Sequence, residues 1–437
     1  MVDVLDLEYA SKGRDIDISE PVLSYLELKY NFNIVRKCCF KDWPYYLLKY
    51  KPRIVFIANG IGSLHHFNIV KTAHYLGIKV VTHFSEGDFI GTSATSVSRY
   101  FWGWNYDKIL YEDLHLEWSQ RNIDLISKHL SLLPQIKLSG AIGFDKYRLL
   151  KSTFLNKTDF LNKYNRTSFT KIVGIAGWCF DYYIKDYLKI DENDSLDYLT
   201  NENKNNIFES LNLVKEIIYK IVKNNPTILF VLKYHPLSMD MKYSEFEDST
   251  DFPNIVLIHS EENIFDLINT CDMWGAFEGT TNMEAWLIEN KPTFIIQPIE
   301  NDFPRTHISQ GSPAIRTYDD LQNYINDFFI NNRSQLYESL SVIRQEIITK
   351  VIQWPDGKNH QRAAEYIYEL HQTSMDKKRK YNFYLLKIYS RFIYKKFTKQ
   401  IRRLLSLPIY KDERFNDVER EEWHQIYLNA VKQFDNL

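Results

Sequence analysis

Along this chain of 437 residues, short β-branched and aliphatic runs alternate with longer stretches whose apolar positions recur every three or four residues. That rhythm predicts βα units laid on a parallel sheet. Strands are expected at residues 3–7, 33–37, 53–58 and 79–83, with helices at 19–30 and 67–76 between them. Two further short strands, 108–111 and 136–138, complete a first series of about 150 residues, a common domain size. A polar stretch at 151–170 then reads as a linker. A second series follows, with strands at 172–176, 227–233, 254–258, 273–277 and 293–297 and helices at 207–224, 264–269 and 282–289. The expectation is an α/β protein of two Rossmann-like domains, residues 1–150 and 171–372, facing a cleft and followed by a helical extension over 373–437.

Composition keeps that picture and narrows the partners. Hydrophobic residues make up 44% and charged residues 25%, a globular balance. With 54 Lys+Arg against 56 Asp+Glu the formal charge is −2, so no global field draws nucleic acid, and no nucleic-acid partner is expected. Basic character is local instead. Residues 376–403 carry eleven cations against one acid, Asp376, interleaved with Phe383, Leu386, Ile393 and Phe397. The stretch reads as a cationic amphipathic helix, which a protein can carry packed on its surface with a solvated basic face. Four cysteines without CxxC spacing point to a reducing cytoplasm. The acidic N-terminal residues and the absence of an apolar run of about 18 residues predict neither export nor a membrane span.

In open parallel sheets, ligands bind outside the carboxyl ends of the strands, so polar residues directly after predicted strands are the candidates. Glu278-Gly279-Thr280-Thr281 puts a glycine and two hydroxyls at a strand-to-helix turn, where backbone N–H groups can cradle a phosphate. Glu284, one turn on, could accept from ribose hydroxyls; a helix start with Thr as ordinary N-cap is the alternative. His235 follows Lys233 and is fixed by Pro236, so its imidazole could donate to a phosphate or a leaving group, or be structural. Ser85-Glu86-Gly87-Asp88 offers Glu86 or Asp88 as general base, the alternative being a solvated acidic turn. The Asn59-Gly60 loop lacks the third glycine of a dinucleotide fingerprint. His65, His66 and His74 come without metal-site spacing, so neither a tightly bound metal nor a tightly bound cofactor is expected.

The order of these motifs resembles the GT-B glycosyltransferases over most of residues 1–370. Leu138-Ser139-Gly140 through Asp145 is similar to their TGxxxxD segment, Lys233-Tyr234-His235-Pro236 to their HP motif, and Gly279-Thr280-Thr281 with Glu284-Ala285 and Lys291-Pro292 to a Ser/Thr loop followed by EA and KP. Within that fold the chain resembles bacterial transferases that use CMP-activated ulosonic acids of the sialic-acid or Kdo kind. Ser85-Glu86-Gly87 matches the last two positions of their (D/E)(D/E)G loop and departs at the first. It is also similar to surface carbohydrate biosynthesis proteins through Asp6-Leu7-Glu8, Arg14-Asp15 and Asp356-Gly357-Lys358. The resemblance implies a nucleotide-sugar donor, CMP-linked, held by Lys233, Pro236, Glu278, Gly279, Thr280, Thr281 and Glu284. It further implies His235 at the leaving phosphate, Glu86 or Asp88 as base, and Arg14, Asn59 and Gly60 in an acceptor or donor loop. The acceptor would be a surface glycan, free or lipid-linked. CDP-glycerol and CDP-ribitol phosphotransferases share several of these motifs and are the alternative, as is a non-catalytic assembly protein of the same fold.

Overall fold

Among the described residues, twelve strands form two parallel sheets. The first contains β1 (Val4–Glu8), β2 (Ile34–Cys38), β3 (Ile54–Ile57), β4 (Lys79–His83), β5 (Leu114–Glu117) and β6 (Ile136–Leu138), ordered β2-β1-β3-β4-β5-β6. The second contains β7 (Lys171–Ala176), β8 (Ile228–Lys233), β9 (Ile255–Ile258), β10 (Met273–Ala276), β11 (Thr293–Ile296) and β12 (Ala314–Ile315), ordered β12-β11-β10-β7-β8-β9. The structure, a computed structural model, describes residues 2–60, 62–85, 87–88, 91–131, 134–184, 201–236, 238, 243–373, 383–405 and 415–437. Strands such as Ile54-Val55-Phe56-Ile57 are buried throughout, as expected for a parallel sheet covered on both faces. Each sheet reverses its winding once, between β1 and β3 and between β7 and β10. At such switch points the connections leave in opposite directions and open a crevice at the carboxyl ends.

The chain divides into two units, one joining Met1–Leu150 to Thr349–Leu437, the other spanning Lys151–Ile348. This differs from the sequence expectation, which kept residues 349–372 with the second domain. The helix Asn359–Gln372 packs on the first unit because His360, fully buried, sits between Asp145 and Asp435 at 2.8 Å and 2.9 Å. Asp145, the last residue of the TGxxxxD-like segment, also accepts from Asn359 Nδ2 and the His360 backbone N–H. The final helix, Asp417–Asp435, lies on α1 (Arg14–Tyr30): Arg420 pairs with Glu8 and Glu20, and Tyr427 donates to Asp17 at 2.7 Å. Burial alone would raise the Glu20 carboxyl, but Arg36, Arg420 and His424 outweigh it and hold the group well below the usual carboxylate range.

Three local expectations are corrected. Helix α1 starts at Arg14 rather than residue 19, with Pro21 inside it; Ile16 and Ile18 are fully buried, so core packing extends the helix through a stretch that reads as polar. The strand expected at 108–111 is absent, since Lys108 adopts φ 50° and Asn105 Nδ2 closes a turn onto the Ile109 carbonyl. The strand is β5 instead, where His115 and Glu117 are buried and bonded to each other. The stretch expected as a polar, helical linker belongs to the second unit: the helix Lys157–Lys163 buries Phe160, and Lys157 bonds both oxygens of Asp272.

Candidate functional site

In the second unit the switch point lies between β7 and β10, so the segments after these strands flank it, with the end of β8 one strand further. Adjacent strands are about 4.8 Å apart, which brings residues 177–181, 234–236 and 277–280 onto one short edge of the sheet. After β10, Gly279 takes φ 130°, and no described atom lies within 4 Å of where its Cβ would be. Glycine is needed there for the backbone path, and the space beside it is open. Thr280 precedes the helix Thr281–Leu287 but makes no cap bond; its hydroxyl donates to Glu284 Oε1 at 3.2 Å. Thr281 accepts from the Trp274 indole at 3.1 Å, so its hydroxyl oxygen is tied to the core.

Glu278 is buried and receives Thr306 Oγ1 at 2.8 Å, with Arg305 Nη1 at 3.5 Å. Burial raises its carboxyl above the usual range, against the lowering pull of Arg305 and Thr306. Arg305 is itself fixed: it bonds the Phe277 carbonyl, pairs with fully buried Asp302 at 2.7 Å, and lies 4.3 Å from the Phe277 ring centre. At the end of β8, burial lowers the His235 imidazole below 6.5, Lys233 adds to that, and Asp181 opposes it. Lys233 does not face outward. Its Nζ donates to the Tyr234 carbonyl at 3.0 Å and to the His259 carbonyl, and burial lowers its pKa. Pro236 is exposed beyond it.

Sequence reasoning missed Arg305, Asp302, Asp181 and Glu245. Glu245 is buried and accepts from the Trp178 backbone N–H at 2.6 Å, and burial pushes its carboxyl up to about 8. A Cβ on Gly177 would come 3.0 Å from the Lys233 carbonyl and 3.2 Å from Glu245, so the ends of β7 and β8 close tightly at this glycine. Asp181, Asp302 and Arg305 lie further along the loops that follow β7 and β11, beyond the positions directly after the strands, so the rule that selected His235 does not reach them. Glu245 follows no strand directly, and only the fold brings it to the end of β7.

In the first unit, the loop after β4 is closed by packing. A Cβ on Gly87 would sit 2.2 Å from the Trp118 ring, and the Gly87 carbonyl accepts from Asn122 Nδ2 at 2.7 Å. Asp88 accepts from Arg121 Nη1 at 3.3 Å, whereas Glu86 lies outside the described residues. Asn59 and Gly60 follow β3 at the switch point, and a Cβ on Gly60 would meet Thr82 Cγ2 at 2.4 Å. Arg14 opens α1 beside Asp15, at 3.8 Å, with its side chain half exposed. The three histidines are used locally: His65 by the Cys39 carbonyl, His66 by Ser63 and His74 by the Tyr111 carbonyl. Among the described residues, no three His, Cys, Asp or Glu side chains gather as metal ligands would. No described helix is long and apolar enough to cross a membrane.

No protein-family model matches the chain, and no curated protein matches it. Solved structures do. The S. aureus MnaA-UDP structure is 10% identical, with TM-score 0.56, covering 87% of this chain and 100% of its own. A UDP-N-acetylglucosamine 2-epimerase is 11% identical, with TM-score 0.54, covering 87% and 99%. The wall teichoic acid polymerase TagF with CDPG is 12% identical, with TM-score 0.51, covering 85% and 88%. At such identities the likeness concerns the fold: two Rossmann-like domains of the GT-B type with a helical C-terminal region.

Proposed function

We propose that this chain is a GT-B glycosyltransferase that moves a sugar, a 2-keto sugar acid, from a CMP-activated donor to a surface glycan. The observation that carries the reading is the open carboxyl edge of the second sheet at its switch point, where Gly279 leaves space beside Glu278, Thr280 and Glu284. In this reading the backbone around Gly279 and the Thr280 hydroxyl receive the phosphate, and Glu284 receives the ribose. Thr281 and Lys233, occupied by Trp274 and by carbonyls, hold the loop ends in place. His235, held neutral by burial, donates an N–H to the departing phosphate as the bond from the anomeric carbon to the phosphate oxygen breaks and its electrons pass to that oxygen. The acceptor hydroxyl forms the new bond and gives its proton to a carboxylate. Glu86 is the better candidate for that base, because Arg121 already engages Asp88. A lipid-linked acceptor would bring the basic helix within 376–403 to the membrane surface; residues 376–382 of that stretch lie outside the described residues.

A second reading, a phosphotransferase with a CDP-linked polyol donor, draws on the likeness to TagF with CDPG. A thermal-shift panel with CMP, CDP, UDP and GDP separates the readings, since a ligand at about 100 times its Kd stabilises the folded state by about 2.7 kcal/mol. A shift with CMP supports the proposal, and one with CDP alone supports the phosphotransferase. A shift with UDP or GDP alone points to another donor, and no shift at all contradicts a donor site.

A further inference from the structure

The helix Phe383–Leu404 carries seven cations and no acid, and its two long faces differ. Leu386, Ile393, Phe397 and Leu404 form an exposed apolar stripe on one side. On the opposite side Arg391, Lys395, Lys399 and Arg403 recur every four residues and line a groove of about 1120 Å³ between this helix and residues 40–46 of the same unit. Four residues rise about 6 Å along a helix, so the ridge sets one positive charge at each such step. Like charges at that spacing repel, and among the described residues none of the four has an ion-pair partner. The groove's one acidic lining residue, Asp42, is already bound by Lys396 at 2.5 Å. Its other wall is aromatic, with Phe40, Trp43 and half-buried Tyr46 facing Tyr394 of the helix, which is 69% exposed. The groove starts at the carboxyl edge of the first sheet. Phe40 and Trp43 follow β2, and His65, stacked on Phe40 at 4.8 Å, follows β3 as Asn59 and Gly60 do. Burial lowers the His65 imidazole against the pull of the Cys39 carbonyl, and Lys395 adds to the lowering. Lys395 therefore stands at the sheet end of the groove, with Lys399 and Arg403 following along the helix.

We propose that this groove holds an acidic oligosaccharide, the growing glycan that the enzyme extends, with the carboxylates of successive sugars on the cationic ridge and the sugar rings against the aromatic wall. A chain built from 2-keto sugar acids carries one carboxylate per residue, and the ridge offers one cation at a repeat comparable with the length of one sugar. Arginine and lysine form charge-assisted hydrogen bonds with carboxylates, and the bound anions relieve the repulsion along the ridge. Tyr46 and Tyr394 each present an apolar ring face and a polar tip, which matches a sugar with its C–H face and its hydroxyl rim. The inference rests on the proposed reaction for the nature of the sugar, and it narrows the acceptor to a glycan that already carries acidic residues. Occupation of the groove does not require the donor site.

The test is fluorescence anisotropy of a labelled short oligomer of N-acetylneuraminic acid with the full chain, in the absence of nucleotide. The same oligomer with its carboxylates reduced to alcohols, and a polyphosphate of matched charge, serve as competitors. The acidic oligomer should bind, and the reduced one should compete at least about 25-fold more weakly. Because an exposed ion pair contributes up to about fivefold in affinity, Lys395→Gln with Lys399→Gln should weaken binding of the acidic oligomer about 25-fold. Lys395→Arg with Lys399→Arg should keep it. Lys387→Gln, on the same helix outside the groove, should change it less than about twofold. The thermal shift with CMP, read on the same variants, should not change, so failure of the donor site is seen separately. Absence of binding by the acidic oligomer would overturn the proposal. So would equal competition by the reduced oligomer or by polyphosphate, or an equal loss per charge in Lys387→Gln and in the groove variant.

Discussion

Two loops with similar sequences end strands in the two units and serve opposite ends. After β4, Ser85-Glu86-Gly87-Asp88 carries its glycine against the Trp118 ring, and Arg121 takes the aspartate. After β10, Phe277-Glu278-Gly279-Thr280 carries its glycine at φ 130° with open space beside it. An acid beside a glycine at a strand end therefore does not define a ligand site. In the first loop the missing Cβ is filled by an indole, and in the second it leaves room for a ligand.

That contrast can be broken in several ways. The largest effect is expected for Arg305→Ala, which strands the buried Asp302 carboxylate and removes a partner of Glu278. Breaking a buried pair costs about 3–5 kcal/mol, read by chemical denaturation.

Next is the pH dependence of the first unit. Burial opposes protonation of His360, but Asp145 and Asp435 outweigh it and raise its pKa from 6.5 to about 9. A raised histidine contributes stability that is fully present below about pH 6.5 and is lost as pH rises toward 9. The contribution is about 3 kcal/mol at 1.36 kcal/mol per unit. Melting measured from pH 6 to 10 should fall more steeply for the natural chain than for His360→Gln.

Gly87→Ala should cost about 1–3 kcal/mol, because the new methyl overpacks Trp118. Gly279→Ala should cost about 1–3 kcal/mol of backbone strain, since φ 130° is a conformation that L residues rarely adopt, and should in addition weaken nucleotide binding. If Gly87→Ala weakened nucleotide binding as much as Gly279→Ala, the contrast between the loops would fail.

Much of the fold was legible because strands buried on both faces read as continuous apolar runs, as Ile54 to Ile57 does. β5 was hidden by His115 and Glu117, polar residues that the sheet buries because they bond each other, His115 to Thr82 and Glu117 to Tyr100 and Asn122. The return of residues 349–437 to the first unit could not be read, since it rests on pairs such as Arg420 with Glu8 and Asp17 with Tyr427. These partners lie about 410 positions apart, and no local pattern records them. At the candidate site the position of each loop was legible from strand ends, but its occupancy was not. Nothing in the sequence distinguishes Lys233, spent on carbonyls, from a lysine facing a phosphate.

The central claim, a nucleotide site at the open edge of the second sheet, is tested most directly by calorimetric titration of CMP into the natural chain and its two glycine variants. CMP should bind the natural chain and Gly87→Ala with similar affinity and bind Gly279→Ala at least about tenfold more weakly, a difference of about 1.4 kcal/mol. Undiminished binding to Gly279→Ala, with its fold intact, would contradict the account.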